Sequence, residues 1–388
     1  MNDRPLVLHR VIGSDTHEYR TVTKTLAELQ SLCRQHGIVV PPQRRPAKEP
    51  YLHALRDHFW ATEHPGVPLP EQIEPMLIGD WNDLGEVETK ALERDHSGYC
   101  VQEKHDGVRA LLHVTEDGVR ITGRAASEVT FRLSEFAANL PHLVQGFEHL
   151  IGTVLDGELV CPKAVVNTGD TVTNHPLQAT VALLATTAEN AARIQEEQDC
   201  KLRFVAFDLL RLNGSDKTSS PLRERLFFLE TAFLTADNPH LDLIETHTQE
   251  KSLFHELVLA EAKEGTVWKK LDQPYQPGKR VRHWLKRKKG IEVEAEVTGF
   301  KPGTEGKGNA DLVGAVEFSV REGDTLKPIA WVSNWTDDER RAMTNRENNF
   351  TTLNTGVIGK KAVIGGHDIA AKSGRIRHAK LVRWVDAA

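Results

Sequence analysis

The 388-residue chain has only four cysteines, Cys33, Cys100, Cys161 and Cys200, widely separated and without a Cys-x-x-Cys pair. This excludes a zinc site built on paired cysteines and gives no disulfide framework, so the thiols read as buried, unreactive groups. No apolar run approaches the roughly eighteen residues of a membrane span, and the amino-terminal stretch is too polar for a secretory leader. A cytoplasmic protein with no membrane partner is expected. Internal repeats and low-complexity tracts are also lacking. What is present, 39% apolar and 27% charged residues, is globular composition with enough length for two or three domains.

The net charge of −6 argues against a polyanionic partner, but the distribution of charge reverses that reading. Between Lys263 and Lys289 there are ten Lys or Arg against two acids, and between Lys360 and Arg383 seven against one. Clusters of this kind create a local field that holds phosphates while the whole molecule stays acidic. Solvated faces would give the same count, so charge alone leaves both readings open.

Residues 1–72 read as a small helical segment. Thr25 and Glu28 have capping-box spacing, Leu26, Leu29, Leu32 and Cys33 follow at helical intervals, and Gly37 is placed to end the helix. A second helix begins near Pro50 with Leu52, Leu55 and Phe59 on one face, and the loop between them carries Arg44, Arg45 and Lys48. His64, Pro65, Gly66, Pro68 and Pro70 break helical structure and set a boundary near residue 72.

From 73 to 290 strands and helices mix. Tyr99–Glu103 reads as a strand, Val108–Val114 and Val119–Thr122 as a hairpin around Asp117-Gly118, Phe204–Leu210 as a buried strand, and Ala179–Gln198 as helix-forming. Beyond Gly290 the pattern alternates, with Val293, Ala295 and Val297, then Val316, Phe318 and Val320. A short helix opened by the Thr336 to Glu339 capping box interrupts these strands, and a small β-barrel over 291–388 would fit.

The chemistry concentrates in EKHDGVR, where Lys104, Asp106, Gly107 and Arg109 directly follow a strand. Downstream come Asp156-Gly157-Glu158 in VLDGELV, Phe207-Asp208 in FVAFDLL, Glu264-Gly265 in EGTVWKK, and Lys286 and Lys288 in WLKRKK. Their order, spacing and strand-end placement resemble the nucleotidyl-transferase motifs of the ATP-dependent DNA ligases, from about residue 73 to 386. KLDQPY with GKR, and GFKPGTEGKGN, favour a DNA ligase of the compact bacterial or phage type over its relatives. GRIRHAKLVRWVD is similar to the family's last motif, with Arg375, Arg377, Lys380 and Arg383 as its basic residues, although Ala387 stands where a lysine usually follows the aspartate. The basic loop between the first two helices faintly resembles a SAP-type DNA-binding module without its usual glycine.

The resemblance implies an α+β fold: an adenylation (nucleotidyl-transferase) domain with antiparallel sheets over 73–290, then a carboxyl-terminal OB-fold β-barrel, with the helical segment in front. It implies nick sealing in double-stranded DNA by a monomer, with ATP and Mg²⁺. Lys104 would be the nucleophile. Its neighbours Arg109, Lys286 and Lys288 are expected to disfavour its ammonium form by like charge and desolvation. Glu158 and Glu264 would hold Mg²⁺, a hard cation that takes few protein carboxylates, while Asp156 either assists Glu158 or serves a turn. Lys286 and Lys288, alternate residues on a strand, would reach the triphosphate. By resemblance Phe207 stacks on the base, Gln102 faces its edge, Arg109 and Arg124 contact ribose and phosphates, and Lys269 also binds ATP. Many relatives carry a glutamate where Gln102 stands, and Phe207 could equally be core. Arg44, Arg45, Lys279, Arg280, Arg282, Lys360, Lys361, Arg375, Arg377, Lys380 and Arg383 would bind DNA, tracking the backbone without reading sequence. The barrel is expected to swing about the segment near Gly290 during the cycle.

An RNA ligase or an mRNA-capping guanylyltransferase would share the lysine, carboxylates and barrel, and the DNA-ligase segments argue against both. A non-catalytic nick-binding protein would have lost the nucleophile or the carboxylates. An NAD-dependent ligase is opposed by the missing zinc cysteines and by the length.

Overall fold

The computed structural model describes residues 24–42, 47–127, 129–304, 310–347, 350–366, 374–376 and 379–385. The expected positions Arg44, Arg45 and Arg377 lie outside them. Residues 24–287 cluster into one compact unit and the described residues from 288 onward into another.

The first unit opens with α1 (Leu26–Gln35), whose capping box is complete: the Thr25 side chain accepts from Glu28 N and the Glu28 carboxylate accepts from Thr25 N. Gly37, at φ +66°, adopts the left-handed conformation that lets the chain leave the helix. In α2 (Glu49–Glu63) a proline in the first turn loses no helical hydrogen bond. The pair buries Leu29, Cys33 and Leu55 against Phe131 of the main body. Phe59 stacks on Phe131, and Arg132 lies over Trp60 while pairing with Glu63 at 3.0 Å. These contacts make the helical pair part of the same packed unit.

The rest of the unit is two sheets with helices around them. In chain order its elements are β1 (Leu77–Asp80), α3 (Glu86–Glu93), β2 (Tyr99–Glu103), β3 (Val108–Thr115), β4 (Gly118–Ala126), β5 (Leu133–Glu135) and β6 (Val154–Val160). Then follow α4 (Pro176–Ala185), α5 (Ala188–Glu197), β7 (Arg203–Leu212), β8 (Ser215–Asp216), α6 (Leu222–Thr235), β9 (Leu241–Leu243), β10 (Thr246–His247), α7 (Lys251–Ala260), β11 (Gly265–Lys270) and β12 (Arg280–Lys288). One sheet runs β1-β12-β11-β2-β10; the other runs β5-β4-β3-β6-β7-β8, with β9 also pairing β7. β2 pairs antiparallel with β10 and β11, and the larger sheet is antiparallel from β5 to β8, whereas β1 with β12 and β9 with β7 are parallel. Both sheets contribute to one core: Cys100, Val281 and Trp284 from the first meet Leu111, Val154 and Leu210 from the second, with Met76 and Tyr275 between. A second core, centred on Leu112, Leu155 and Phe204, lies under α4, α5 and α6.

The strands over 99–103, 108–122 and 204–210 form as expected. The helix-forming stretch 179–198 is divided between two helices, broken where Thr186 and Thr187 take extended backbone angles and the Thr187 hydroxyl caps Asn190 N. A hydroxyl that caps a new helix competes with continuation of the old one.

The second unit holds a five-stranded antiparallel sheet, β15-β14-β13-β18-β19, formed by β13 (Ile291–Pro302), β14 (Val313–Glu322), β15 (Thr325–Val332), β18 (Lys361–Gly366) and β19 (Lys380–Trp384). Between β15 and β18 come α8 (Asp337–Met343), opened by the Thr336 capping box, and the hairpin of β16 (Thr344–Glu347) with β17 (Phe350–Leu353). Ala295, Val297, Val316, Phe318 and Ile364 form its core, as alternation requires. Among the described residues no helix is long and apolar enough to cross a membrane.

Two histidines of the first unit are buried as neutral rings. Burial pushes His113 down to about 4, helped by Arg120, and His255 down to about 4, helped by Arg287. With folded values below the ordinary 6.5, these groups favour folding above pH 6.5, and that contribution is lost as pH falls toward 4. Each should cost about 3 kcal/mol across that window. Urea unfolding at pH 7, 5.5 and 4.5 should give a falling midpoint, with a shallower fall in His113→Gln.

Candidate active site

The two sheets bring their motif-bearing strand ends to one place. β2 and β11 pair with Glu103 opposite Thr266, and Lys104 N donates to Gly265 O at 2.9 Å. The residues just past the ladder, Lys104 and Glu264, therefore face each other, with Lys104 Nζ donating to Glu264 Oε2 at 2.5 Å. On the other sheet, Glu158 of β6 lies opposite Arg109 of β3. The loop joining β2 to β3 passes close above β6 because Gly107 has no side chain: a Cβ there would lie 2.2 Å from Leu159 O and 2.9 Å from Glu158 Cγ.

Glu158 is half-buried, and its carboxyl has no hydrogen-bond or ion-pair partner among the described residues. Burial pushes it up to about 7, and Glu264 adds to the rise, while Lys104, Arg109 and Arg124 oppose it. An unpartnered carboxyl within electrostatic reach of a second one is the donor set of a hard divalent cation that completes its shell with water and phosphate oxygens. Glu158 and Glu264 thus fit Mg²⁺, though no cluster of three or more candidate metal ligands occurs among the described residues.

Gln102, 1% exposed, donates from Nε2 to Thr246 Oγ1 at 2.9 Å, and its Oε1 is left without a partner. A buried acceptor with nothing to accept is costly unless a ligand supplies the donor. Phe207 is half-buried at the edge of the inter-sheet core, edge-to-face with Trp284. On β12, Lys286 shares a side of the strand with Trp284 and lies 3.4 Å from Asp80 Oδ2; Lys288 is that strand's last residue.

Several expectations change here. Arg109 does not crowd Lys104. Its Nε and NH2 bind both oxygens of Asp156 at 3.0 and 2.6 Å, and NH1 donates to Met76 O at 2.7 Å. The guanidinium is therefore committed to the protein, and the Lys104 amine is paired with the Glu264 carboxylate. Asp156 neither turns a hairpin nor reaches outward: wholly buried within β6, it holds Arg109 and accepts from Tyr275 Oη at 2.7 Å. Burial disfavours charge on Arg109, but Asp156 overrides it and holds the guanidinium above its ordinary value. Lys269, only 2% exposed, packs its ammonium against Phe207 and Trp284.

Sequence reasoning missed two partners. Tyr275 sits in the quoted KLDQPY segment, but no local pattern says that its hydroxyl bridges Asp156 and Met76 N. Arg225 forms a fully buried bidentate pair with Asp208, and the sequence of α6, which carries Arg223 and Glu224 beside it, does not single it out.

Of the residues expected to bind DNA, Lys279, Arg280 and Arg282 are exposed in the first unit. In the second, Lys360, Lys361, Lys380 and Arg383 are exposed, while Lys361 pairs with Glu294 and Arg375 with Glu317.

Residues 75–288, more than half of the chain, match the family model described as the ATP dependent DNA ligase domain, and the chain belongs to that family. A DNA ligase of Natronomonas pharaonis is 31% identical over 243 residues, covering 62% of this chain and 41% of the relative. One of Haloarcula marismortui is 31% identical over 261 residues, covering 66% and 44%. The chain thus spans about two fifths of the length of these curated relatives. Among solved structures, the ligase domain of M. tuberculosis LigD aligns over 81% of this chain and 95% of its own, at 20% identity and TM-score 0.44. The ATP-dependent DNA ligase of bacteriophage T7, in complex with ATP, aligns over 80% and 98% at 19% identity and TM-score 0.39.

Removing Arg109 would leave Asp156 buried with only Tyr275 as partner. Arg109→Met should therefore lower the unfolding free energy by about 3 kcal/mol, measured by urea titration at pH 7. An unchanged midpoint would show that the buried pair does not stabilise the fold.

Proposed function

We propose that the chain is an ATP-dependent DNA ligase that seals nicks in duplex DNA through a lysyl-adenylate. The observation that carries this reading is the meeting of Lys104 at one strand end with Glu264 beside it and the unpartnered Glu158 across the gap. A lone pair on Lys104 Nζ attacks the α-phosphorus of ATP, the bond to pyrophosphate breaks, and the amine gives up its proton. An oxygen of the nick's 5′-phosphate then displaces Lys104 from the adenylate. The adjacent 3′-hydroxyl attacks the activated 5′-phosphorus, and AMP leaves.

Each step is an in-line substitution, which asks the protein for positioning and charge neutralisation more than for acid–base chemistry. Mg²⁺ held by Glu158 and Glu264 would supply charge neutralisation at the phosphates. Lys286, Lys288 and Arg124 are assigned to triphosphate and ribose oxygens, and Phe207 to stacking on the base. Gln102 supports adenine specifically: its free Oε1 accepts from an exocyclic amine, whereas guanine presents a carbonyl at that edge. Arg109, by its contacts, acts from behind the site. The substrate is nicked duplex bound by a monomer, with the exposed cations at 279–282 and those of the second unit following the phosphate backbone. Joining should weaken steeply with added salt.

Incubation with α-labelled ATP and Mg²⁺ should give a covalent, acid-labile AMP adduct that Lys104→Ala removes, mapped to Lys104 by mass spectrometry. Labelling by GTP in place of ATP would point to a capping enzyme, and absence of any adduct on the folded protein would refute the ligase reading.

A further inference from the structure

Lys269 is the one group of the nucleotide region whose chemistry the steps above leave unused. It lies on β11 opposite Cys100 of β2, and the register turns its side chain into the gap between the sheets. The ammonium is 3.9 Å from the centre of the Trp284 ring and 4.2 Å from that of Phe207, and it donates to Phe207 O at 3.3 Å. It forms no ion pair among the described residues, so two aromatic faces and one carbonyl hold its charge. Arg109 approaches the same Phe207 ring, 5.2 Å from its centre. Phe207 is thus gripped through both its backbone and its ring.

We propose that Lys269 is a positioning residue for nucleotide binding: its ammonium fixes the Phe207 ring for stacking on adenine, without itself contacting ATP. This rests on the reading that Phe207 stacks on the base. The grip exists only while the amine is protonated. The groups facing it are Asp208 of β7, Asp156 of β6 and Cys100 of β2, which favour its charge, and Arg109 of β3, which opposes it. Burial outweighs the favourable groups and pushes the amine down to about 8. A fixed ring loses less freedom on stacking than a mobile one, so nucleotide affinity should track protonation of Lys269.

The test is the affinity of the full-length protein for ATP without metal, read by equilibrium dialysis between pH 6.5 and 9.5. Divided by that of Lys269→Arg at each pH, which cancels the titration of Glu158, wild-type affinity should be constant up to about pH 7.5 and fall about tenfold above pH 8. Lys269→Met should bind about tenfold more weakly at every pH. Lys269→Arg should restore affinity and keep it through pH 9.5, because a guanidinium does not titrate there. In Phe207→Ala, adding Lys269→Met should change affinity less than about twofold. Wild-type affinity and pH profile in folded Lys269→Met, or an equal loss in the Phe207→Ala background, would overturn the proposal. Wild type that binds no ATP would instead overturn the ligase reading.

Discussion

The knot formed by Arg109, Asp156 and Tyr275 decides the geometry of everything around it. Asp156 is wholly buried in the middle of the larger sheet, and a lone carboxylate there would be prohibitively costly. Arg109 from the neighbouring strand satisfies both its oxygens, and Tyr275, from the segment between β11 and β12, adds a third hydrogen bond. The same tyrosine accepts from Met76 N, and Arg109 donates to Met76 O, so the chain just before β1 is tied in as well. The bidentate pair lies within the larger sheet, and the ties to the other sheet are the Tyr275 hydroxyl on Asp156 and the Arg109 NH1 on Met76 O. Hydrophobic burial favours contact between sheets but tolerates sliding; directional hydrogen bonds to a buried carboxylate and a buried carbonyl do not.

That fixed register is what sets Lys104 and Glu264 of one sheet against Glu158 of the other. It also explains a division of labour among the motif residues. Asp156 and Glu158 are two residues apart on β6 and point the same way, yet one is consumed in holding the fold while the other is kept without a partner. Arg109 is similarly spent on structure, and Lys269 is pressed against aromatic rings. A cluster that reads in sequence as uniform phosphate-binding chemistry separates, in three dimensions, into a carboxyl left without a protein partner and groups committed to contacts within the protein.

Much of this was legible beforehand because it is local. Strand alternation gave β2, the β3–β4 hairpin and β7, and the two Thr-to-Glu capping boxes gave the starts of α1 and α8. Motif order indicated the strands that carry Lys104, Glu158 and Glu264 within them or at their ends. What was not legible depends on pairing across long stretches of chain. The direction of the Arg109 guanidinium is set by Asp156 and Met76, the former 47 residues away. The buried pair of Arg225 with Asp208 spans 17 residues and has no periodic signature. The split between α4 and α5 turned on one hydroxyl, Thr187, within a stretch whose composition favours helix throughout. Arg44 and Arg45, expected to bind DNA, lie outside the described residues, and the helices on either side of them pack against Phe131 and Arg132.

The parallel pairing of β1 with β12 joins the first strand of the sheets to the last, across some two hundred residues, with Leu77 opposite Arg280 and Asp80 opposite Lys286. During synthesis the first strand emerges long before its partner exists, and the Trp284 that closes the inter-sheet core arrives with that partner. A nascent chain halted short of residue 280 would expose an unpaired edge and an open core, both prone to the wrong associations. The domain therefore acquires its cooperative stability late, when the final strand leaves the ribosome.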